Sequence, residues 1–229
     1  MKLNRAMYSI TLLAGVALMG AHPAFADVTV VYKMTSRDGS GTQTIRYADK
    51  QHVRLNMSGA GNRKMSMMKL GDKVYMINGN TVQDLDQLAQ MMAMMGKGAK
   101  GNKAKRTDIT YEDTGRTETI AGIQGKVYRF VERGKKHEIV LADDKDLHAA
   151  ALGVVEIAKA MSAMMPADSK NMMRQNAPIK SMAMLRLDNN MHLQSIDRKK
   201  IQNSLFKLPG KPQQLGGMGA LLKGMADKK

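Results

Sequence analysis

The sequence predicts an α+β protein in which a curved antiparallel sheet wraps over an amphipathic helix. Three observations lead there. The stretch Asp143–Pro166 carries the strongest helical periodicity in the chain. Most of the rest breaks into short runs of alternating apolar and polar residues joined by two- to four-residue connections, the pattern of an antiparallel meander. Finally, one amphipathic helix among many strands must bury its apolar stripe on a sheet.

In the helical stretch, Leu147, Ala151, Val154, Ala158, Met161 and Met165 recur at spacings of three and four and line one face. Glu156 and Lys159 fall opposite. Asp143, Asp144 and Asp146 crowd the start, where carboxylates accept from free backbone N–H groups and meet the positive end of the helix dipole. Pro166 ends the helix, because it has no N–H to donate and clashes with the preceding turn. A second helix is expected with Thr81 or Asp84 as its cap, Leu85, Leu88, Met92 and Met95 as its stripe, and Gly96 as its stop.

The strands follow from period-two alternation. Val28, Val30, Tyr32 and Met34 mark the first, and Thr44–Ala48 follows the Asp38–Gly41 turn. In His52–Ser58, Val53, Leu55 and Met57 share one face and His52, Arg54 and Asn56 the other. Lys64–Leu70 and Lys73–Asn78 form a hairpin across Gly71-Asp72. Residues 97–106 hold Gly, Ala, Asn and basic residues with nothing to bury, and are expected to form a mobile basic loop. Strands resume at Asp108, break at Gly115, and continue through Thr117–Ile123 and Lys126–Glu132. The latter pairs with His137–Ala142 across Gly134-Lys135. Ala167–Ala177 is expected as a linker or short helix. Lys180–Leu187 and Met191–Ile201 pair across Asp188-Asn189-Asn190, Phe206–Pro209 is a candidate last strand, and 210–229 reads as a flexible basic tail.

The N-terminus gives the address. Lys2 and Arg5 precede an apolar run from Ile10 to Met19, and Ala24-Phe25-Ala26 offers small residues before Asp27. This is the pattern of a signal peptide, residues 1–26, cleaved after Ala26. A bilayer span needs roughly 20 apolar residues, so this run is too short to anchor the chain. The chain has no cysteine and hence no lipid-anchored N-terminal Cys. The expected product is a monomer in the periplasm, with one domain over 27–209. Its net charge is +14, against +16 for the whole chain, because residues 1–26 hold two basic and no acidic residues. In an exported protein that charge points to anionic lipid head groups, cell-surface polyanions or simply solubility rather than to nucleic acid.

Hydrolytic chemistry finds no support: there is no Cys nucleophile, no GxSxG elbow and no HExxH pair. No enzyme activity and no cofactor are expected. His52, His137, His148 and His192 are not spaced as ligand pairs. Methionine stands out, with 23 residues in a chain without tryptophan. Met is flexible and polarizable and suits a core or an adaptable apolar cavity. Its thioether is also a soft ligand for Cu(I). Met65, Met67, Met68, Met91 and Met95 are the candidates for that alternative, and exposed Met can also absorb oxidant reversibly.

The order of elements carries a resemblance. Thr117-Glu118-Thr119-Ile120-Ala121-Gly122 leads into the Tyr128/Phe130 strand, an acidic turn at Asp143 precedes the helix, and Phe206-Lys207-Leu208-Pro209 closes the last strands. Over residues 28–209 the chain resembles a Met-rich exported bacterial family of unknown function within the LolA/LolB-like superfamily of periplasmic lipoprotein carriers. The resemblance implies a LolA-like half-barrel: an incomplete antiparallel β-barrel, strongly curved, with helices packed on the concave side. In the carriers that side binds acyl chains. The basic loop and the excess of Met depart from the carriers.

The expected function is therefore non-enzymatic binding of a lipid, acyl chain or lipoprotein beneath the sheet. The candidate lining is Met57, Met65, Met67 and Met76 from strands, with Met92, Met95, Val154, Met161 and Met165 from the helices. The same residues could instead fill a solid core, and the Cu(I)-binding or oxidant-scavenging role stands as the alternative.

Overall fold

The computed structural model describes residues 27–36, 39–59, 64–94, 109–132, 134–162 and 182–213, without the side chains at 92–94 and 162. The expected signal peptide, the basic loop 97–106, the linker 167–177 and residues 214–229 of the tail lie outside the described residues, as do Met95, Met165 and Pro166.

Among the described residues, eleven strands build one sheet. In chain order they are β1 (Val28–Ser36), β2 (Gly39–Asp49), β3 (His52–Ser58), β4 (Lys64–Leu70), β5 (Lys73–Asn78), β6 (Thr81–Asp84), β7 (Glu112–Ile120), β8 (Ile123–Glu132), β9 (Lys135–Ala142), β10 (Ala183–Leu187) and β11 (Met191–Asp197). Helix α1 (Leu85–Met94) follows β6, and α2 (Lys145–Ser162) follows β9. The spatial order is β6-β5-β4-β3-β2-β1-β11-β10-β9-β8-β7, with antiparallel neighbours throughout. Among the described residues the outer strands β6 and β7 do not pair with each other, so the sheet is open.

Register sets the buried face. Val28 and Val30 stand opposite Tyr47 and Ile45, which stand opposite Val53 and Leu55. Leu55 meets Met67 on β4, and Met67 meets Met76 on β5. This apolar ladder joins Val127, Val140, Ala183 and Leu185 from the other end of the sheet in one core. Helix α2 closes that core with Leu147, Ala149, Ala150 and Ile157, while Val154, Ala160 and Met161 pack against it half-buried. The buried ridge thus runs through Leu147, Ala150, Gly153 and Ile157. The expected stripe through Ala151 and Ala158 is rotated away, both being only half-buried. Gly153 explains the rotation: a Cβ there would lie 2.9 Å from Val53 Cγ2 and 3.0 Å from Tyr47 Cδ2. The missing side chain lets the helix backbone settle on the sheet.

The opposite face is covered in two places. Phe130, Ile139 and Leu141 form a second cluster with Tyr111, Tyr128 and Met184. Near β3, a 3-10 turn at Asn203–Phe206 lies against the sheet, with Phe206 edge-on to His52 at 5.8 Å. The expected strand at Phe206–Pro209 is therefore this turn and the coil after it, the pairing of β11 having ended at Asp197. The last described residues cross to the sheet edge, where the Gln213 N–H donates to Val82 O on β6 at 2.8 Å.

Thr81–Asp84 is an edge strand, and Asp84 alone caps α1. Its Oδ1 accepts from the backbone N–H of Asp86 and Gln87 at 3.0 and 3.3 Å. Asp144 does the same for α2, accepting from Asp146 and Leu147 at 3.1 and 3.0 Å. Ile109 and Tyr111 precede the sheet, and pairing starts at Glu112. Gly115 shifts the register inside β7 without ending the strand.

Candidate functional site

Three adjacent strands bring the methionines together. On the face covered by α2, Met57 of β3 stands directly opposite Met65 of β4, and Met67 opposite Met76 of β5. Directly opposed side chains on a sheet have Cβ atoms roughly 5 Å apart, so flexible thioethers at these positions can touch. The patch is graded. Met67 is 2% exposed, Met57 and Met76 are half-buried against the core, and Met65 is 40% exposed. From α2, Val154 and Met161 pack half-buried against the same core. Six of the expected lining residues therefore belong to one side of the sheet. Of the others, Met92 lies in α1 with its side chain outside the description, and Met95 and Met165 lie outside the described residues.

The copper candidates separate differently. Met65 and Met67 share the helix-covered face, but Met68 is fully buried on the other, directly opposite Arg54 and Tyr75. Successive strand residues point to opposite faces, so this backbone does not offer Met67 and Met68 to one ion. Met91 is half-buried on α1. Among the described residues no group of three or more His, Cys, Asp or Glu side chains is arranged to hold a metal ion.

A charged network, missed in the sequence, occupies the other end of the same face. Glu118, Glu138 and Arg186 stand on the side of Val127 and Val140. Arg186 donates through Nε and Nη2 to Glu118 at 3.1 and 2.9 Å, and through Nη2 to Glu138 at 2.6 Å. Arg116 also binds Glu138. The hydrogen bond from Arg186 and the charge of Arg116 hold the Glu138 carboxyl below the ordinary glutamate range. Arg186 on β10 thus reaches Glu118 on β7 across two intervening strands. The small residue between them is Gly125 on β8, where a Cβ would meet Leu185 Cδ1 at 2.8 Å.

The site is thus an apolar, thioether-rich face on an open sheet, half-exposed at the Met65 end and bounded by ion pairs at the other. Residues 29–211 match the family described as a domain of unknown function (DUF4412), and the chain belongs to that family. The structure is similar to the crystal structure of a LolA superfamily protein from Nitrosomonas europaea, with a TM-score of 0.30 and 8% identity, covering 81% of this chain and 91% of that chain. No curated protein matches the sequence.

Proposed function

We propose that the protein is a periplasmic, non-enzymatic binding protein that holds an acyl chain or other lipid group between the sheet and its helices. The observation that carries this reading is the exposure gradient from Met67 to Met65 on the helix-covered face. A filled core would bury the whole row. Here a deformable apolar surface starts in the core and opens to solvent, as a ligand wall does.

The concave side of the sheet is taken to be the one that α2 covers. The reach of Arg186 over two strands, and the approach of Leu185 to Gly125, both favour a sheet that curls toward that side. The basic surface favours a monomer working beside anionic membranes.

Native mass spectrometry of protein purified from a periplasm tests the reading, and a co-bound lipid mass is expected. A fluorescent fatty acid should bind and be displaced by unlabelled fatty acid. Ligand-free spectra together with no fluorescent binding would overturn the proposal.

A further inference from the structure

The face of the sheet away from α2 carries a second, polar site. There Arg46 stands directly opposite Arg54, Thr44 opposite Asn56, and Thr42 opposite Ser58. Ser66 and Lys64 on β4 extend the last two rows. All of these side chains but that of Arg46 border an open groove of about 460 Å³, whose rim Met57 and Met65 complete at the strand ends. Arg46 stands in the row beside it, opposite Arg54.

The groove offers donors and positive charge. Like charges directly opposite on a sheet repel, and no carboxylate pairs with Arg46 or Arg54 among the described residues. Burial and the charge of Arg46 together push the Arg54 guanidinium below its ordinary value. Arg54 gives Nη1 to Leu205 O at 2.8 Å and Nε to Asn56 Oδ1 at 3.3 Å, which leaves Nη2 without a described protein partner. Asn56 Oδ1 also accepts from Ser66 Oγ at 2.7 Å, so what Asn56 has left to offer is its amide N–H groups. Holding the 3-10 turn needs only the one bond to Leu205. It gives no reason for a second arginine opposite.

We propose that this groove binds a phosphate group, free or carried on a small polar molecule or a lipid head. Arg54 neutralises the oxyanion and Asn56 and Lys64 donate to it, while Arg46 adds positive charge from the row beside the groove. The proposal does not rest on the acyl reading, because these polar groups stand on the other face of the sheet.

Calorimetric titration of the mature protein with inorganic phosphate tests it, alongside sedimentation with phosphatidylglycerol-containing and pure phosphatidylcholine vesicles. The test variant is Arg46→Gln with Lys64→Gln, which leaves the Arg54–Leu205 bond in place. The control is Lys199→Gln with Lys200→Gln, which removes the same charge elsewhere. Saturable binding is expected, weakened roughly tenfold or more in the test variant and changed less than about twofold in the control. Arg54→Lys, which keeps the charge but loses the planar fork, should fall between. Phosphate binding without vesicle binding points to a soluble phosphorylated compound. Binding to the anionic vesicles that phosphate competes away points to a lipid head. Absence of saturable binding in both arms, or equal weakening in test and control variants, would overturn the proposal.

Discussion

Arg186 grips Glu118 through two parallel donors, Nε to Oε2 at 3.1 Å and Nη2 to Oε1 at 2.9 Å. The bond ties the edge hairpin β7–β8 to β10. Arg186 is only 14% exposed and serves Glu138 as well, so its removal strands two carboxylates. Arg186→Gln is expected to lower stability by about 3 kcal/mol. Arg186→Lys, which cannot make the paired contact, should recover part of that loss. Urea denaturation of the three proteins gives the comparison.

The same network sets a pH dependence. The folded-state pKa of Glu138 is depressed, so its contribution is complete above the unfolded value of roughly 4.3 and is lost as pH falls through the lower folded value. The melting temperature of the wild type should fall more steeply than that of Glu138→Gln in this acidic window. Parallel curves would show that Glu138 is not linked to folding.

Gly153 is the contact point of α2 with the sheet. Alanine there gains helix propensity of about 1 kcal/mol but drives a methyl group into Val53 and Tyr47. Val53 is β-branched and fully buried, so the sheet yields little. A net loss of about 1–2 kcal/mol is expected for Gly153→Ala and a larger one for Gly153→Leu, both read from chemical denaturation.

The β7–β8 turn carries a correctable strain. Ala121 and Gly122 both have positive φ, 51° and 79°, between paired Ile120 and Ile123. Such a two-residue turn favours Asn-Gly. Ala121→Asn is expected to stabilise the protein by about 0.5–1 kcal/mol, measured as a raised denaturation midpoint.

Two methionines on one strand face should separate core from ligand wall. Met67→Ala is expected to cost about 3 kcal/mol of stability, because it empties a fully buried site. Met65→Ala should stay within about 0.5 kcal/mol of wild type yet weaken fatty-acid binding in the displacement assay.

Much of this architecture was legible because strand alternation is a strong local signal. Val53, Leu55 and Met57 against His52, Arg54 and Asn56 fixed both faces of β3 correctly. The acidic start of α2 was equally plain, and Asp144 does cap it. What failed depended on distant partners. The ridge of α2 was misplaced because a glycine, silent in a hydrophobic pattern, decides how close the helix sits. Phe206 read as a strand residue, yet its backbone turns where Arg54 captures the carbonyl of Leu205. The Met patch needed only cross-strand register, whereas the Glu118–Arg186 pair spans 68 positions in the chain and leaves no local trace.

The strand order has a further consequence, for assembly. Every neighbouring pair in the sheet links strands consecutive in the chain except one, β1 with β11. The first strand and the last form a central seam, aligning Val30 with Ile196 and Tyr32 with Leu193. Each side can zip by local hairpins, but the two join only when the C-terminal strand arrives. Until then β1 is a bare, valine-rich edge, the kind that recruits other strands. A chain of this design must stay unpaired at its own beginning until its last strand is in place, which makes the seam the step at which guarding by a chaperone matters most.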